Sequence, residues 1–191
     1  MNLPNKITLL RVGLIPVFLF VYLAAPFHEI VNLWLALVIF VAASITDGID
    51  GHIARKRKLV TNFGKLMDPL ADKLLICSVL VAFIYTGSLG GQHATWAVIV
   101  LIDREFYISG LRLLALEQGK VLAALQGGKW KMGMQITLVV VVLLPVQMLP
   151  FEWLLTLKDW IVLALLIITT AVSVFSAYDY TQKNKDVFTK L

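Results

Sequence analysis

Residues 46–73 read TDGIDGHIARKRKLVTNFGKLMDPLADK, a polar stretch inside a chain that is otherwise strongly apolar. The stretch holds Asp47, Asp50, Asp68 and Asp72, which are four of the 12 acidic residues in the protein. Of the 191 residues, 59% are hydrophobic and only 15% are charged, and the mean hydropathy is +0.84. Because a soluble domain of this length carries more charge on its surface, we predict an all-α integral membrane protein.

The apolar runs on both sides of this stretch have the length of membrane helices. A bilayer core about 30 Å thick needs roughly 20 apolar residues per helix, so the chain has room for about six. We predict a bundle of six transmembrane helices in one domain, residues 1–191, with helices over residues 7–25, 32–55, 66–85, 94–116, 132–148 and 158–178. For the N-terminus, an interfacial piece over residues 2–10 that leads into the first membrane helix is an alternative. No clean small-residue cleavage site follows the first run, so we expect an uncleaved span.

Basic residues alternate between successive breaks in the apolar pattern. The breaks at residues 25–32, 86–95 and 144–153 contain no Lys or Arg, whereas the other breaks and the C-terminal tail contain several. By the positive-inside rule, we predict that both termini and the stretch at 46–73 face the cytoplasm in a multi-pass protein of the plasma membrane. The formal charge of +5 then suits loops that meet anionic lipid headgroups, and we expect no nucleic-acid partner.

The four aspartates form two pairs. Asp47 and Asp50 are three residues apart near the end of the second helix, and Asp68 and Asp72 are four apart at the start of the third, so each pair lies on one helical face. Four carboxylates in a low-dielectric pocket repel one another, and Mg²⁺ or Mn²⁺ would relieve that repulsion. We therefore predict a site for two divalent ions at headgroup depth, suited to phosphoryl transfer. The structural alternative is that the aspartates only pair with the adjacent basic loop.

Small residues accompany the aspartates. Gly51, Ala54 and Gly64 lie on the aspartate faces, where the missing side chains let a bulky ligand approach the backbone. Arg55 stands at the rim, where a guanidinium can bind phosphate in a bidentate manner.

At these positions the sequence resembles the CDP-alcohol phosphatidyltransferase family. The family pattern is Asp-x-x-Asp-Gly-x-x-Ala-Arg, eight residues, then Gly-x-x-x-Asp-x-x-x-Asp, and it is matched without departure by Asp47, Asp50, Gly51, Ala54, Arg55, Gly64, Asp68 and Asp72. The resemblance implies a six-helix membrane enzyme, often a homodimer. Such an enzyme transfers a phosphatidyl group from CDP-diacylglycerol to an alcohol and releases CMP.

The resemblance also implies roles for the matched residues. Asp47, Asp50 and Asp68 would bind metal, and Asp72 would act as general base on the acceptor hydroxyl while approaching a second metal ion. The cytidine diphosphate pocket would be lined by Gly51, Ala54, Arg55 and Gly64.

A second group of charges lies in the fourth helix, where residues 102–119 read IDREFYISGLRLLALEQG. Glu105 and Arg112 share a face of this helix, and we predict that Arg112, with Arg104, binds a phosphate on the acceptor. Lys129 and Lys131, in the predicted loop QGGKWKMG at 126–133, would assist. The alternatives are an ion pair between Glu105 and Arg112 and ordinary loop charge on the two lysines.

The acceptor is indicated by weaker similarity outside the aspartate motif. The segments REFYISGLR, NLPNKITLLR and GKWK look like those of family members that use sn-glycerol 3-phosphate. Alternatives are a sister enzyme that uses inositol phosphate, serine or a lipid, a membrane prenyltransferase, and an intramembrane cation transporter. Asn5, Thr8 and Arg11 could contact the nucleotide or anchor an interfacial helix, and we favour the anchor.

Overall fold

The computed structural model describes residues 3–56, 62–120, 122 and 126–187, and it describes only the backbone for residues 3–7, 47–56, 62–66, 68, 69 and 126. The described chain is helical and contains no strand, which confirms the all-α prediction. Its helices are α1 Leu3–Leu23, α2 Glu29–Lys56, α3 Asn62–Thr86, α4 Gln92–Glu117, α5 Gln126–Leu143 and α6 Glu152–Lys183. Short 3₁₀ turns cover Val146–Met148 and Lys185–Val187.

The helix boundaries differ from the sequence prediction mainly at α1 and α5. α1 is one continuous helix from Leu3 to Leu23, with no break after residue 10. α5 already begins at Gln126, because the segment predicted as a loop forms its first turns. It ends at Leu143 rather than at residue 148, since Pro145 cannot continue a helix and restricts the residue before it.

The end of α4 is fixed by backbone hydrogen bonds. The N–H of Lys120 donates to the carbonyl of Ala115 at 2.8 Å, and the N–H of Gly119 donates to the carbonyl of Leu116 at 2.9 Å. Gly119 has a φ of 72°, the left-handed conformation that this Schellman arrangement requires. The helix that carries Arg104 and Arg112 therefore stops sharply.

The core lies between all six helices, each of which contributes buried apolar side chains. Phe18, Phe40 and Phe83 are fully buried, and the ring of Phe18 lies 5.7 Å from that of Tyr22 and 6.4 Å from that of Phe40. At the end of α3, the hydroxyl of Tyr22 is hydrogen-bonded to Ser88 at 2.8 Å. These contacts join α1 to α2 and α3, while α6 packs on α4 and α5.

Three helices of the described chain are long and apolar enough to cross a membrane, which is fewer than the six that the sequence predicted. The qualifying segments are Glu29–Thr46, Gly127–Met148 and Glu152–Lys183, and Thr8–Leu23 is a shorter apolar helix. α4 does not qualify, because Asp103, Arg104 and Glu105 follow one another in its apolar run. In α3 the continuously described side chains begin only at Leu70.

The outer surface of the bundle is apolar. Phe20, Val38, Ile167 and Phe175 are each about 60% exposed or more, and soluble monomers do not present so many large apolar side chains together. Four tryptophans lie exposed close to helix ends, a position typical of aromatic residues at a membrane interface: Trp96, Trp130, Trp153 and Trp160. The fold is thus that of a membrane protein.

Candidate active site

A cavity of about 250 Å³ opens at one end of the bundle, where the start of α3, the second half of α4, the start of α5 and the end of α6 meet. Consecutive helices therefore run in opposite directions around it. Its polar and charged lining consists of Asp72, Lys73, Arg104, Glu105, Arg112, Lys129, Lys131, Gln135, Ser176 and Tyr180.

The cavity brings together side chains from all three polar regions that the sequence singled out. Asp72 comes from the aspartate stretch, Arg104 and Arg112 from the fourth helix, and Lys129 and Lys131 from the fifth. Helix packing brings these regions together around one cavity. The chemical roles predicted for the five residues stay predictions.

Glu105 is the centre of a buried ion-pair network. It is 8% exposed, its Oε1 lies 3.3 Å from Nη1 of Arg104, and the same oxygen accepts a hydrogen bond from Nζ of Lys131. Within the described residues, Glu105 is thus paired with Arg104 and Lys131 and not with Arg112. The alternative of a Glu105–Arg112 ion pair is wrong.

The two lysines of α5 differ in environment. Lys129 is exposed, whereas Lys131 is only 5% exposed and points into the bundle towards Glu105. The interpretation of both as ordinary loop charge therefore fails for Lys131. A buried lysine is tolerated here because a carboxylate compensates its charge.

α6 holds the two arginines of α4. Nε of Arg112 donates to the hydroxyl of Tyr180 at 3.2 Å, and its guanidinium carbon lies 5.6 Å from the centre of the Tyr180 ring. Nη2 of Arg104 donates to the hydroxyl of Ser176 at 3.0 Å. The bond to Tyr180 uses Nε of Arg112. The two terminal amino groups of Arg112 have no hydrogen-bond partner within the described chain, so they are available to a ligand.

Close packing of α5 on α6 sets the width of the cavity. A Cβ at Gly127 would lie 3.0 Å from Oγ and 3.2 Å from Cβ of Ser176. Only glycine lets the start of α5 approach α6 this closely without a shift. The same serine accepts the hydrogen bond from Arg104, so this approach also places an arginine of the cavity.

Lys73 lies next to Asp72 in the cavity wall. Its Nζ donates a hydrogen bond to Oγ of Ser109, which itself donates to the backbone carbonyl of Glu105 at 2.6 Å. This pair of bonds ties the start of α3 to the middle of α4. It fixes the part of α3 from which Asp72 projects.

The remaining predicted site residues are described only as backbone. Asp47 and Asp50 lie in α2 and Asp68 lies in α3; their side chains fall outside the described part, as do Gly51, Ala54, Arg55 and Gly64. The helical backbone is what each aspartate pair needs to share one face. α2 ends at Lys56 and α3 begins at Asn62, so only five residues separate the end of α2 from the start of α3, the part of α3 that leads to the cavity.

The donor set fits a hard divalent cation. All four aspartates offer carboxylate oxygens, the ligands that Mg²⁺ and Mn²⁺ prefer, and Asp72 is already at the cavity. The side chains that the structure describes do not include those of Asp47, Asp50 and Asp68. Among the described side chains, no cluster of three or more His, Cys, Asp or Glu could hold a metal. The predicted metal site therefore rests on the sequence pattern and on the helical backbone.

The N-terminal helix differs from its prediction as an interfacial anchor. Thr8 and Arg11 are both fully buried, and Arg11 is among the largest side chains without exposed surface. A buried arginine does not anchor a helix at a lipid surface, so the anchor interpretation is wrong for these two residues. The side chain of Asn5 lies outside the described part.

Four polar or charged residues of the cavity were not singled out in the sequence analysis: Lys73, Gln135, Ser176 and Tyr180. Lys73 could have been found, because it directly follows Asp72 in an apolar helix. Gln135, Ser176 and Tyr180 are uncharged residues in apolar helices, and only the packing of α5 and α6 against α4 shows their position.

Comparison with known proteins shows the family of the chain. The family model for CDP-alcohol phosphatidyltransferases matches residues 1–177. A CDP-diacylglycerol–glycerol-3-phosphate 3-phosphatidyltransferase of Bacillus subtilis is 46% identical, over 79% of this chain and 80% of its own. A protein of the same name from Mycoplasma pneumoniae is 37% identical, over 68% of this chain and 62% of its own.

A probable phosphatidylglycerophosphate synthase of Mycobacterium tuberculosis is 36% identical, over 76% of this chain and 68% of its own. The family match covers all six helices apart from the last residues of α6. The chain therefore belongs to the CDP-alcohol phosphatidyltransferase family.

Proposed function

We propose that the protein transfers the phosphatidyl group of CDP-diacylglycerol to sn-glycerol 3-phosphate, giving phosphatidylglycerophosphate and CMP. The observation that carries the proposal is the cavity in which Asp72 stands among Arg104, Arg112, Lys129 and Lys131. Such a site suits an acceptor with a phosphate at one end and a nucleophilic hydroxyl at the other. The names of the B. subtilis and M. pneumoniae relatives support the same donor and acceptor.

The charge and size of the cavity support a small anionic acceptor. Five cationic and two carboxylate side chains line it, so the excess positive charge can bind a phosphate dianion. The volume of about 250 Å³ corresponds to about eight water molecules. That space suits a phosphorylated small polyol better than a phospholipid acceptor, and the charge disfavours serine, which has no phosphate.

The cations of the cavity have separate tasks. Arg112 is oriented by Tyr180 and presents its terminal amino groups for bidentate binding of the acceptor phosphate. Arg104 and Lys131 are held by Glu105, which keeps them in place when the cavity is empty. Lys129 is exposed and attracts the acceptor from the aqueous side.

The transfer step needs a base near the acceptor hydroxyl. Asp72 accepts the proton of that hydroxyl as its oxygen attacks the phosphorus that carries the diacylglycerol. The bond between this phosphorus and the oxygen bridging to CMP breaks, and CMP leaves with the bonding electron pair. Holding both reactants in one cavity at the membrane surface supplies the alignment that this displacement requires.

Divalent metal would be held by Asp47, Asp50 and Asp68, with Asp72 approaching a second ion. When bound, the metal supplies positive charge that offsets the diphosphate and the departing CMP. Gly51, Ala54, Arg55 and Gly64 would line the pocket for the cytidine diphosphate. The match of all eight positions to the family pattern supports this assignment.

The membrane arrangement is proposed as six spans with both termini and the cavity on the cytoplasmic side of the plasma membrane. Most of the charged side chains described in α3 and α4 line the cavity, namely Asp72, Lys73, Arg104, Glu105 and Arg112. Intramembrane charges of this kind face the interior of a bundle and mark functional sites. A homodimer, which the family resemblance implies, completes the proposal.

The test is CMP release from CDP-diacylglycerol by the purified protein in detergent micelles. We expect release with sn-glycerol 3-phosphate and little with inositol 1-phosphate, serine or phosphatidylglycerol. Excess chelator should abolish the release, and Mg²⁺ or Mn²⁺ should restore it. Equal release with another acceptor would overturn the acceptor assignment, and full activity in chelator would overturn the metal assignment.

A further inference from the structure

One amide group of the cavity has no role in the chemistry above. Gln135 lines the cavity from α5, is only 1% exposed, and its Nε2 is buried without a hydrogen-bond partner within the described chain. A buried amide donor without a partner is unfavourable and uncommon in native proteins. A ligand that enters the cavity can supply the missing acceptor atom.

The position of Gln135 relative to the cations indicates which part of a ligand it meets. Gln135 follows Lys131 by four residues, so the two side chains lie on the same face of α5, about 6 Å apart along the axis. Lys131 is on the side of the start of α5, next to Glu105 and the cations. Gln135 therefore lies one turn deeper than the group that binds phosphate.

This placement leaves one group of the acceptor for the amide. In sn-glycerol 3-phosphate, the phosphate is assigned to the cations and the attacking primary hydroxyl to Asp72, which leaves the secondary hydroxyl at C2. We infer that Gln135 donates a hydrogen bond from Nε2 to this C2 hydroxyl and so selects acceptors that carry it. The inference rests on the proposed function and adds a specificity-determining residue to it.

Buried polar groups elsewhere in the bundle provide the matched control. Ser173 of α6 is fully buried and its hydroxyl also has no partner in the described chain, but it does not line the cavity. If missing partners were only a general feature of this core, Ser173 and Gln135 would behave alike. Among the described residues at the cavity wall, Arg104 and Gln135 each have a buried nitrogen without a partner. Arg104 is already assigned to the acceptor phosphate, which leaves the amide of Gln135 without a role.

The experiment compares two acceptors of equal chain length, sn-glycerol 3-phosphate and 3-hydroxypropyl phosphate, which lacks the C2 hydroxyl. For the wild type we expect kcat/KM for CMP release to fall about tenfold or more with the deoxy acceptor, because the amide is left unpaired. Gln135→Met keeps the length of the side chain but not the hydrogen-bond donor. For this variant we expect the kcat/KM values for the two acceptors to agree within about twofold, because only the activity with glycerol 3-phosphate is lost. Ser173→Ala should keep the wild-type ratio.

Each other outcome is decisive. A wild type that does not distinguish the two acceptors overturns the inference whether or not the variant folds. A Gln135→Met protein that keeps the preference, or loses activity equally with both acceptors, overturns it too, and the second result would assign Gln135 to packing. If the wild type releases no CMP with glycerol 3-phosphate, the proposed function fails as well, which separates the two claims.

Discussion

The hydrogen bond between Arg112 and Tyr180 offers a precise test of the acceptor site. The change Tyr180→Phe removes the hydroxyl that accepts from Nε of Arg112 at 3.2 Å but keeps the ring on which the guanidinium rests at 5.6 Å. Arg112 then keeps its charge and its stacking partner and loses only the bond that fixes its rotation. The effect should therefore fall on the binding of the acceptor phosphate.

The magnitude follows from the type of bond. A hydrogen bond to a charged group contributes about 1.5–3 kcal/mol, and Tyr180 is only 3% exposed, so little water replaces the hydroxyl directly. Arg112 itself borders an open cavity, where water can bind Nε in the variant, and this favours the lower end. A loss of about 1.5 kcal/mol corresponds to an increase of about tenfold in KM for glycerol 3-phosphate.

The assay is CMP release at saturating CDP-diacylglycerol with the acceptor concentration varied. Tyr178→Phe is the matched control, because Tyr178 lies on the same helix, is 63% exposed and forms no hydrogen bond within the described chain. We expect Tyr178→Phe to be indistinguishable from the wild type. A Tyr180→Phe protein with an unchanged KM for glycerol 3-phosphate, or with its defect confined to the KM for CDP-diacylglycerol, would refute the reasoning.

Two further predictions concern the architecture of the cavity. Glu105→Ala leaves two buried cations without their counter-charge, so we expect a loss of stability of about 3–5 kcal/mol, measured as a lower thermal unfolding midpoint. Added glycerol 3-phosphate should partly restore this midpoint, and Glu117→Ala, at an exposed position, should change it little. An unaltered midpoint for Glu105→Ala would show that the ion-pair network does not stabilise the fold. Gly127→Ala places a Cβ against Ser176 and should lower the free energy of unfolding by about 1–3 kcal/mol through overpacking. In the control Gly133→Ala the added Cβ meets nothing within 4 Å, so this change should be neutral or stabilising. Equal thermal midpoints for the two variants would contradict the close approach of α5 and α6.

The helices of the fold were predictable because apolar runs of membrane length are a strong signal in the sequence. Errors arose where polar residues are buried inside the bundle. The segment QGGKWKMG was predicted as a loop because of its two lysines, yet it forms the first turns of α5, since Lys131 finds a carboxylate from α4. The absence of α4 from the apolar spans has a related cause, because Arg104, Glu105 and Arg112 lie at the cavity.

The site was predictable where it depends on charge and not where it depends on packing. A charged side chain in an apolar helix stands out, so Arg104, Arg112 and Asp72 were singled out from the sequence, and the structure places all three at one cavity. The partners of these charges did not stand out. Tyr180 and Ser176 are ordinary residues of an apolar helix, and their contacts with the arginines exist only because α6 packs on α4.

The central claim is that the carboxylate of Asp72 takes the proton of an acceptor bound in the cationic cavity. The most direct measurement is the rate of CMP release by Asp72→Asn at saturating substrates, together with binding of CDP-diacylglycerol, beside the exposed Asp103→Asn as control. We expect Asp72→Asn to bind CDP-diacylglycerol still but to release CMP about 10²- to 10⁴-fold more slowly, because a positioned base usually contributes this much to the rate. Release at the wild-type rate by Asp72→Asn would contradict it.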